Sequence, residues 1–256
     1  MDRKLFIIGD LHGEFEPLCF SLIHKYDLEN CDVIVAGDTG MGFYKPGYYK
    51  NVFNILNKKF KDKNISVYFI RGNHDNPVYF SDDCPVEMTG IDNIKLVKDY
   101  DVLHLGGYNI LCVGGATSID RCFRRSEIDW WEGESVIENQ DFNEPVDIII
   151  SHCAPIFIPP EYERISWMND SDDERSRNDR RILAELYFKF SHNLKYWFYG
   201  HYHDHFETIV PNELSDTDKK YLLNGNLIQE NQFSEGCKFI GLNMIDNTKL
   251  DLYELR

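Results

Sequence analysis

The feature that decides the fold is a strand-like run that ends in a cluster of histidines. Residues 195–206 read KYWFYGHYHDHF. The aromatic run is typical of a buried strand, and His201, His203 and His205 follow it at every second position. In an extended segment this spacing places alternate side chains on one face. The chain has nine histidines, so three together indicate either an accident of a strand end or a metal site.

Four other short apolar runs also end in polar side chains. The runs are KLFIIGD (residues 4–10), CDVIVAGD (31–38), ISVYFIRGNHD (65–75) and VDIIISH (146–152). The polar residues that follow them are Asp10, His12, Asp38, Asn73, His74 and His152. The carboxyl ends of strands in an open α/β sheet form one rim where ligands bind. We therefore expect these distant residues to converge with His201 and His203.

Helical spacing separates the first strands and indicates an α/β fold. Residues 14–26 and 48–60 carry apolar side chains at helical intervals, and strands that alternate with helices favour a parallel sheet. Residues 102–116 predict a hairpin with its turn at Gly106 and Gly107. Residues 238–255 predict a second hairpin that turns at Asp246 and Asn247. We expect one domain over residues 1–256, with a two-sheet core between helices.

The most polar stretch, residues 169–181, reads NDSDDERSRNDRR. We interpret it as a solvated loop that leads into the helix ILAELYFKF. Asn178 or Asp179 would be the residue that caps that helix.

Composition limits the function classes. The chain has 27 Lys and Arg against 43 Asp and Glu, a formal charge of -16, and such a field repels polyanions. This argues against extended nucleic-acid binding but allows a small phosphorylated substrate. Seven scattered cysteines without a CxxC pair suggest reduced thiols and a cytoplasmic protein. No run approaches the roughly 20 apolar residues of a membrane span.

The donor set at the strand ends suits transition-metal ions. Aspartate, asparagine and histidine offer oxygen and nitrogen ligands without a thiolate, which favours manganese, iron or zinc over calcium. Seven or eight donors are too many for one such ion, so two ions that share a bridging carboxylate are the natural solution. Two ions about 3.5–4 Å apart recur in enzymes that hydrolyse phosphate esters.

Five short motifs carry a resemblance to a known family. They are GDLHG (residues 9–13), GDTG (37–40), GNHD (72–75), SHCAP (151–155) and GHYH (200–203). In this order they resemble the calcineurin-like metallophosphoesterase superfamily. The resemblance implies a four-layer αββα sandwich of two mixed sheets flanked by helices, with a binuclear metal centre. The segment 114–134 is similar to one in uncharacterised bacterial and phage members. GDTGMG and GNHD depart from the GDxVDRG and GNHE of the protein serine/threonine phosphatase branch.

The resemblance also implies a role for each ligand. The first ion would be held by Asp10, His12 and His203, and the second by Asn73, His152 and His201. Asp38 would bridge both ions. The expected cofactors are two divalent ions, with Mn²⁺ first and Fe, Zn, Ni or Mg as alternatives.

Other residues are expected to act on the substrate. His74 matches the family histidine that reaches the substrate, although a role as an extra ligand stays open, and Asp75 would orient it. Arg71 stands where related branches place a phosphate-binding arginine. Arg121 and Arg124 are further candidates for phosphate contacts, against the alternative that they form a solvated charged face.

These expectations define a metal-dependent phosphoesterase that hydrolyses a phosphomonoester or phosphodiester. A hydroxide between two metal ions would attack phosphorus, with His74 as the proton donor. The alternatives are a nucleotide or cyclic-nucleotide phosphodiesterase, a nuclease, and a catalytically inactive scaffold on the same fold. The net charge argues against the nuclease, and the complete ligand set argues against the scaffold.

Overall fold

Two β-sheets form the centre of the protein. The structure is a computed structural model that describes residues 3–160, 168–228, 232–246 and 249–255. The first sheet contains β1 (Lys4–Ile8), β2 (Cys31–Val35), β3 (Ile65–Phe69), β4 (Ile94–Leu96) and β11 (Tyr253–Leu255). Its strand order is β11-β1-β2-β3-β4. Strands β1 to β4 run parallel, and β11 pairs antiparallel with β1 at the edge.

The second sheet is also mixed. It contains β5 (Val102–Leu105), β6 (Tyr108–Val113), β7 (Ile148–Ser151), β8 (Tyr196–Tyr199), β9 (Phe206–Val210) and β10 (Cys237–Gly241). Its order is β5-β6-β7-β8-β10-β9, with four parallel central strands and antiparallel edges. The predicted β5–β6 hairpin is present, and Gly106 and Gly107 both adopt positive φ in its turn.

Helices cover the outer face of each sheet. The first sheet is covered by α1 (Phe15–Phe20), which continues as a π-helical turn over Ser21–Lys25, and by α2 (Pro46–Asp62). The second sheet is covered by α3 (Asp170–Phe190) and α4 (Asp216–Leu223). The layers are therefore helix, sheet, sheet and helix, which confirms the predicted αββα sandwich. No helix in the described ranges is long and apolar enough to cross a membrane.

Strands β1, β2 and β3 are mostly apolar because both of their faces are buried. In β1, Leu5 and Ile7 pack between the sheets, together with Ile148 and Ile150 of β7. Phe6 and the other alternate side chains of β1 pack against α1 and α2. A strand between two apolar layers needs a continuous apolar run, and this accounts for the motif-leading runs in the sequence.

The predicted C-terminal hairpin is wrong. Strand β10 inserts between β8 and β9 in the second sheet, whereas β11 pairs with β1 in the first sheet. The alternating pattern identified both strands, but it carried no information about their partners. Asp246 forms an isolated bridge with Lys249, and Asn247 lies outside the described residues.

The predicted loop over residues 169–181 is also wrong, because α3 begins at Asp170. The Asn169 side chain caps the helix by accepting a hydrogen bond from the Asp172 N–H at 2.9 Å. Acidic residues in the first turn stabilise a helix N-terminus, so the polarity that suggested a loop instead favours this helix. Asn178 and Asp179, the predicted caps, both lie inside the helix and do not cap it.

Candidate metal centre

The carboxyl ends of five strands place their polar side chains at one site. Loops that follow β1, β2 and β3 in the first sheet meet loops that follow β7 and β8 in the second. The residues they bring together are Asp10, His12, Asp38, Asn73, His74, His152, His201 and His203. Each sheet therefore supplies part of the site, and the junction between the two sheets holds it together.

Asp10, His12 and His203 form the first group that can hold a metal ion. His203 Nε2 lies 3.0 Å from Asp10 Oδ2 and 3.0 Å from His12 Nε2. His12 Nε2 lies 3.8 Å from the same Asp10 oxygen. Two imidazole nitrogens that face each other beside a carboxylate are suited to a shared cation.

Asp10, Asp38 and His152 form a second such group, which shares Asp10 with the first. His152 Nε2 lies 3.3 Å from Asp38 Oδ1 and 2.9 Å from Asn73 Oδ1. His152 Nδ1 lies 2.9 Å from the Ala36 carbonyl. An Nδ1–H that donates to this carbonyl leaves the Nε2 lone pair directed at Asp38 and Asn73, as a metal ligand requires.

Asp38 of the second group also approaches the first group, and His201 lies beside the second. Asp38 Oδ2 is 3.9 Å from His12 Nε2 and 3.8 Å from His74 Nε2. The His201 ring is centred 5.0 Å from the His152 ring, and its backbone N–H donates to Asp10 at 3.0 Å. Both carboxylates, Asp10 and Asp38, thus touch residues expected at each ion, so the division of ligands between two ions stays a prediction.

The chemistry of the donor set fits divalent transition ions. Asp10 and Asp38 are each 1% exposed, and among the described residues no lysine or arginine lies within ion-pair distance of either. Buried carboxylates need a compensating charge. Histidine nitrogens and one amide oxygen surround them, a mixed set that manganese, iron or zinc accepts.

The rings of the four candidate histidine ligands differ in proton affinity. Burial lowers the pKa of His12, and it lowers the pKa of His201 well below the usual value. The hydrogen bond to Asp10 raises the pKa of His203. Burial opposes the charge on His152, but Asp38 and Asp10 outweigh it and raise its pKa to about 9. Because a ligating imidazole must be neutral, metal binding here releases protons.

The backbone is strained where it presents the ligands. His12, Asp38, His201 and His203 have φ values of 48°, 44°, 71° and 53°. Left-handed backbone at residues other than glycine costs about 1–3 kcal/mol each and persists where the surroundings enforce it. Four such residues in one site indicate that the fold holds the ligands at some expense of stability.

Glycines at the strand ends allow the loops to approach closely. A Cβ on Gly37 would lie 2.1 Å from His152 Nδ1, and one on Gly72 would lie 2.0 Å from Asp38 Oδ1. Gly200 is equally close to a third ligand. These distances are far below van der Waals contact, so a side chain at any of the three positions would displace a ligand.

Asp75 has a different role from the predicted orientation of His74. Its fully buried carboxylate accepts four backbone N–H groups, from Thr39, Gly40, Met41 and Gly72, and the Thr39 hydroxyl. None of the hydrogen bonds described for Asp75 joins it to the His74 ring. Asp75 instead ties together the loops after β2 and β3, and so it positions Asp38.

The arrangement of Arg71 argues against the predicted phosphate contact. The side chain is 1% exposed. Its Nε and Nη2 donate to Asp99, Nη1 donates to the carbonyls of Gly133 and Glu134, and Nη2 also donates to the Ser135 carbonyl. All five N–H groups of a guanidinium are thus used inside the protein. Arg71 fixes the segment around residues 133–135 to the end of β3.

Arg124, rather than Arg121, points toward the site. Arg124 Nη2 lies 3.4 Å from His74 Nε2, and Asp120 holds the guanidinium through bonds of 2.6 and 2.7 Å. Arg121 instead donates to Asp172 at 2.6 Å and stacks on Trp130, 4.1 Å from the ring centre.

A cavity of about 720 Å³ opens beside the metal-binding groups. Its lining includes Asp38, Asn73, His74, Arg124, His201 and His203, and also residues that sequence reasoning missed, namely Thr117, Asp120, Ser176, Asp179, Arg180 and Tyr202. Three of the missed residues lie on α3 at helical spacing. That helical spacing could have placed these three residues on one face, but the interpretation of the segment as a loop left it unused.

His205 pairs with Asp251 at 2.8 Å and belongs to neither metal-binding group.

Comparisons with known proteins found a matching family and similar solved structures. The family described as calcineurin-like phosphoesterase matches residues 3–205. The crystal structure of TT1561 of Thermus thermophilus is similar over 100% of both chains, with 13% identity and a TM-score of 0.50. The cold-active protein-tyrosine phosphatase of a psychrophilic Shewanella species aligns over 78% of this chain and 66% of its own, with 12% identity and a TM-score of 0.29. No curated protein matched. The TT1561 similarity bears on the fold alone.

Proposed function

This chain belongs to the calcineurin-like phosphoesterase family, and from that premise we propose that it hydrolyses a phosphoester at a centre that holds two divalent metal ions. The observation that carries the proposal is the pair of metal-binding groups that share Asp10. Asp10, His12 and His203 would hold one ion. Asn73, His152 and His201 would hold the other, with Asp38 between them.

The bound ions would supply an activated water and neutralise charge on the phosphate oxygens. The side chains of the cavity would bind the phosphate and donate the proton. The water gives up one proton to solvent, its oxygen attacks phosphorus, the bond from phosphorus to the leaving oxygen breaks, and the leaving oxygen takes up a proton. His74 is the proton donor in this proposal, because its Nε2 lies 3.8 Å from Asp38 at the cavity wall.

Arg124 would bind a non-bridging oxygen of the phosphate. Its guanidinium reaches His74 Nε2 at 3.4 Å, and the Asp120 ion pair fixes it in that orientation. A fixed guanidinium donates paired hydrogen bonds that match phosphate geometry. Arg124 therefore replaces Arg71 as the phosphate-binding arginine in our account.

The substrate is proposed to be a small phosphorylated molecule, and nucleotides belong to this class. The cavity volume of about 720 Å³ suits a ligand of that size. A monoester and a diester differ in whether a second substituent must fit beside the phosphate, and the proposal covers both.

The direct test is hydrolysis of chromogenic phosphate esters by metal-depleted protein after addition of Mn²⁺, Fe²⁺, Zn²⁺, Ni²⁺ or Mg²⁺. We expect turnover that depends on the added ion, with Mn²⁺ most effective. The ratio of rates for a bis-substituted and a mono-substituted ester assigns diesterase or monoesterase activity. A protein that binds these ions but hydrolyses neither ester would overturn the proposal.

Two variants separate the proposed roles. His74→Ala should retain the metal ions and lose about 10²- to 10⁴-fold in kcat, whereas His104→Ala, at an exposed histidine of β5, should change nothing. Loss of bound metal in His74→Ala would make His74 a ligand instead.

Arg124→Gln should raise KM about tenfold or more. Arg125→Gln is its matched control, because Arg125 is exposed and pairs with Asp129.

A further inference from the structure

Arg180 is an unusual arginine in this protein. It is 3% exposed, yet among the described residues no carboxylate lies within ion-pair distance of its guanidinium. The other buried arginine of the described ranges, Arg71, pairs with Asp99 at 2.8 Å. A buried guanidinium needs hydrogen-bond acceptors and is stabilised by an anion, so the groups around Arg180 indicate its role.

Carbonyl oxygens satisfy most of the hydrogen-bonding capacity of Arg180 but not its charge. Nε donates to Ala154, Nη1 donates to Pro160, and Nη2 donates to Pro155 and Ile158. These four bonds use four of the five N–H groups of a guanidinium. Within the described ranges no acceptor lies on the second Nη1 hydrogen, and the Arg180 side chain lines the cavity.

The position of Arg180 relates it to the metal-binding groups. Its guanidinium lies 5.6 Å from the centre of the Tyr202 ring, and that ring lies 4.9 Å from the His201 ring. Arg180 and His201 both line the cavity that opens beside the two groups. The Tyr202 ring thus lies beside both the arginine and a candidate metal ligand, which places Arg180 on the cavity wall near the metal-binding groups.

We propose that Arg180 forms a second anion subsite, and that the substrate is a phosphoester with another oxyanion, a carboxylate or a phosphate, on the group attached to the scissile phosphate. This inference rests on the proposed phosphoesterase activity and specifies its substrate. The metal ions would take the phosphate that is cleaved, and Arg180 would take the anion at the other end.

The neighbouring acid does not oppose an anion at this position. The Asp179 carboxylate accepts hydrogen bonds from the Thr117 hydroxyl at 2.7 Å and from the Val136 N–H at 3.1 Å. Burial raises the pKa of Asp179 to about 7. Its negative charge is therefore partly suppressed near neutral pH.

Matched substrates test the subsite. We would compare ω-carboxyalkyl phosphates with the uncharged ω-carbamoylalkyl phosphates of the same length, over a series of chain lengths, with the Mn²⁺-loaded protein. At the chain length that spans the cavity, kcat/KM should favour the carboxylate by about 10- to 100-fold. Replacement of the carboxylate by a phosphonate would then show which oxyanion fits better.

Variants assign the preference to Arg180. Arg180→Gln should reduce the ratio of carboxylate to carboxamide kcat/KM to about 1, and Arg180→Lys should restore part of it because the charge is kept. Arg181→Gln is the matched control, since Arg181 is exposed and follows directly on α3. Each ratio is internal to one variant, so a loss of stability in Arg180→Gln does not imitate the expected result.

The outcomes distinguish this inference from the proposed function. If the wild-type protein hydrolyses the carboxamide esters but shows no preference for the charged ester at any length, the anion subsite is wrong and the phosphoesterase proposal stands. A preference that Arg180→Gln leaves unchanged would also overturn the subsite. If the Mn²⁺-loaded protein hydrolyses none of these esters, nor the chromogenic ones, both proposals fail together.

Discussion

Asp179 is a buried acid that links α3 to the wall of the cavity. It is 2% exposed and accepts bonds from Thr117 and Val136. Burial is the main cause that raises its pKa from 3.8 to about 7, Glu134 adds to the rise, and the hydrogen bonds and Arg175 oppose it. The folded protein therefore holds a proton on Asp179 over a pH range in which the unfolded chain has released it.

This difference predicts a pH-dependent stability. Between about pH 4 and pH 7 the folded state binds the extra proton, so the free energy of unfolding falls as pH rises through this window. The contribution of Asp179 to that fall is about 4 kcal/mol. Asp179→Asn removes the titration, and urea unfolding at several pH values should show the variant gaining stability relative to the wild type toward pH 7.

Glu174→Gln is the control for that experiment, because Glu174 is an exposed carboxylate on the same helix. The difference in the free energy of unfolding between Glu174→Gln and the wild type should stay nearly constant with pH. A parallel pair of stability curves for wild type and Asp179→Asn would contradict the burial argument.

Individual side chains also show which site residues could be predicted from the sequence. The order of the motifs was enough to select Asp10, Asp38 and the histidines, since residues that follow parallel strands must share a rim. The order of the motifs was not enough to assign the roles of Arg71 and Asp75. Their contacts are with backbone groups of distant segments, and a motif does not record which carbonyl or N–H a side chain meets.

The turns that end the strands are built for close approach. Gly37 follows β2, has a φ of 107°, and has no room for a Cβ beside His152. Such a position combines a backbone conformation that favours glycine with a contact that excludes any side chain. The loop and the ligand are therefore packed as one unit.

Gly37→Ala should destabilise the protein by about 2 kcal/mol or more and weaken metal binding, because His152 must move. Gly47→Ala is the matched control: Gly47 lies in the first turn of α2 with nothing within 4 Å of an added Cβ. That change should leave stability unchanged or raise it by up to about 1 kcal/mol. Thermal unfolding with and without Mn²⁺ measures both effects, and equal behaviour of the two variants would refute the packing account.

Helices and strands differed in how well periodicity predicted them. The regular apolar spacing of α2 was sufficient to predict it. Helix α3 was missed in its first half, because its buried positions there include Asp172, Asp179 and Arg180. Polar residues that are buried with partners do not register as an apolar face, so their periodicity is hidden.

The two sheets depend on each other through the site. Loops from β1, β2 and β3 carry Asp10, Asp38 and Asn73, and loops from the second sheet carry His152 and His203. Neither sheet has a complete ligand set for either metal-binding group. Bound cations would therefore join the sheets and stabilise the folded state by an amount that grows with the logarithm of the free ion concentration above Kd.

The pairing of the last strands is a property of the complete fold that local patterns could not supply. Strands β10 and β11 are near in sequence but belong to different sheets. Their alternation is compatible with either partner, and only the packing of both sheets decides between them. The order of the layers was predictable because the family resemblance supplied it.

The most direct measurement is the number of ions bound per chain. We would load metal-depleted protein with Mn²⁺, remove the excess by gel filtration, and determine manganese and protein by elemental and amino-acid analysis. The account predicts two ions for the wild type and for His205→Ala, whose ring pairs with Asp251 outside both groups. One ion or none in the folded wild-type protein would contradict the two-ion centre.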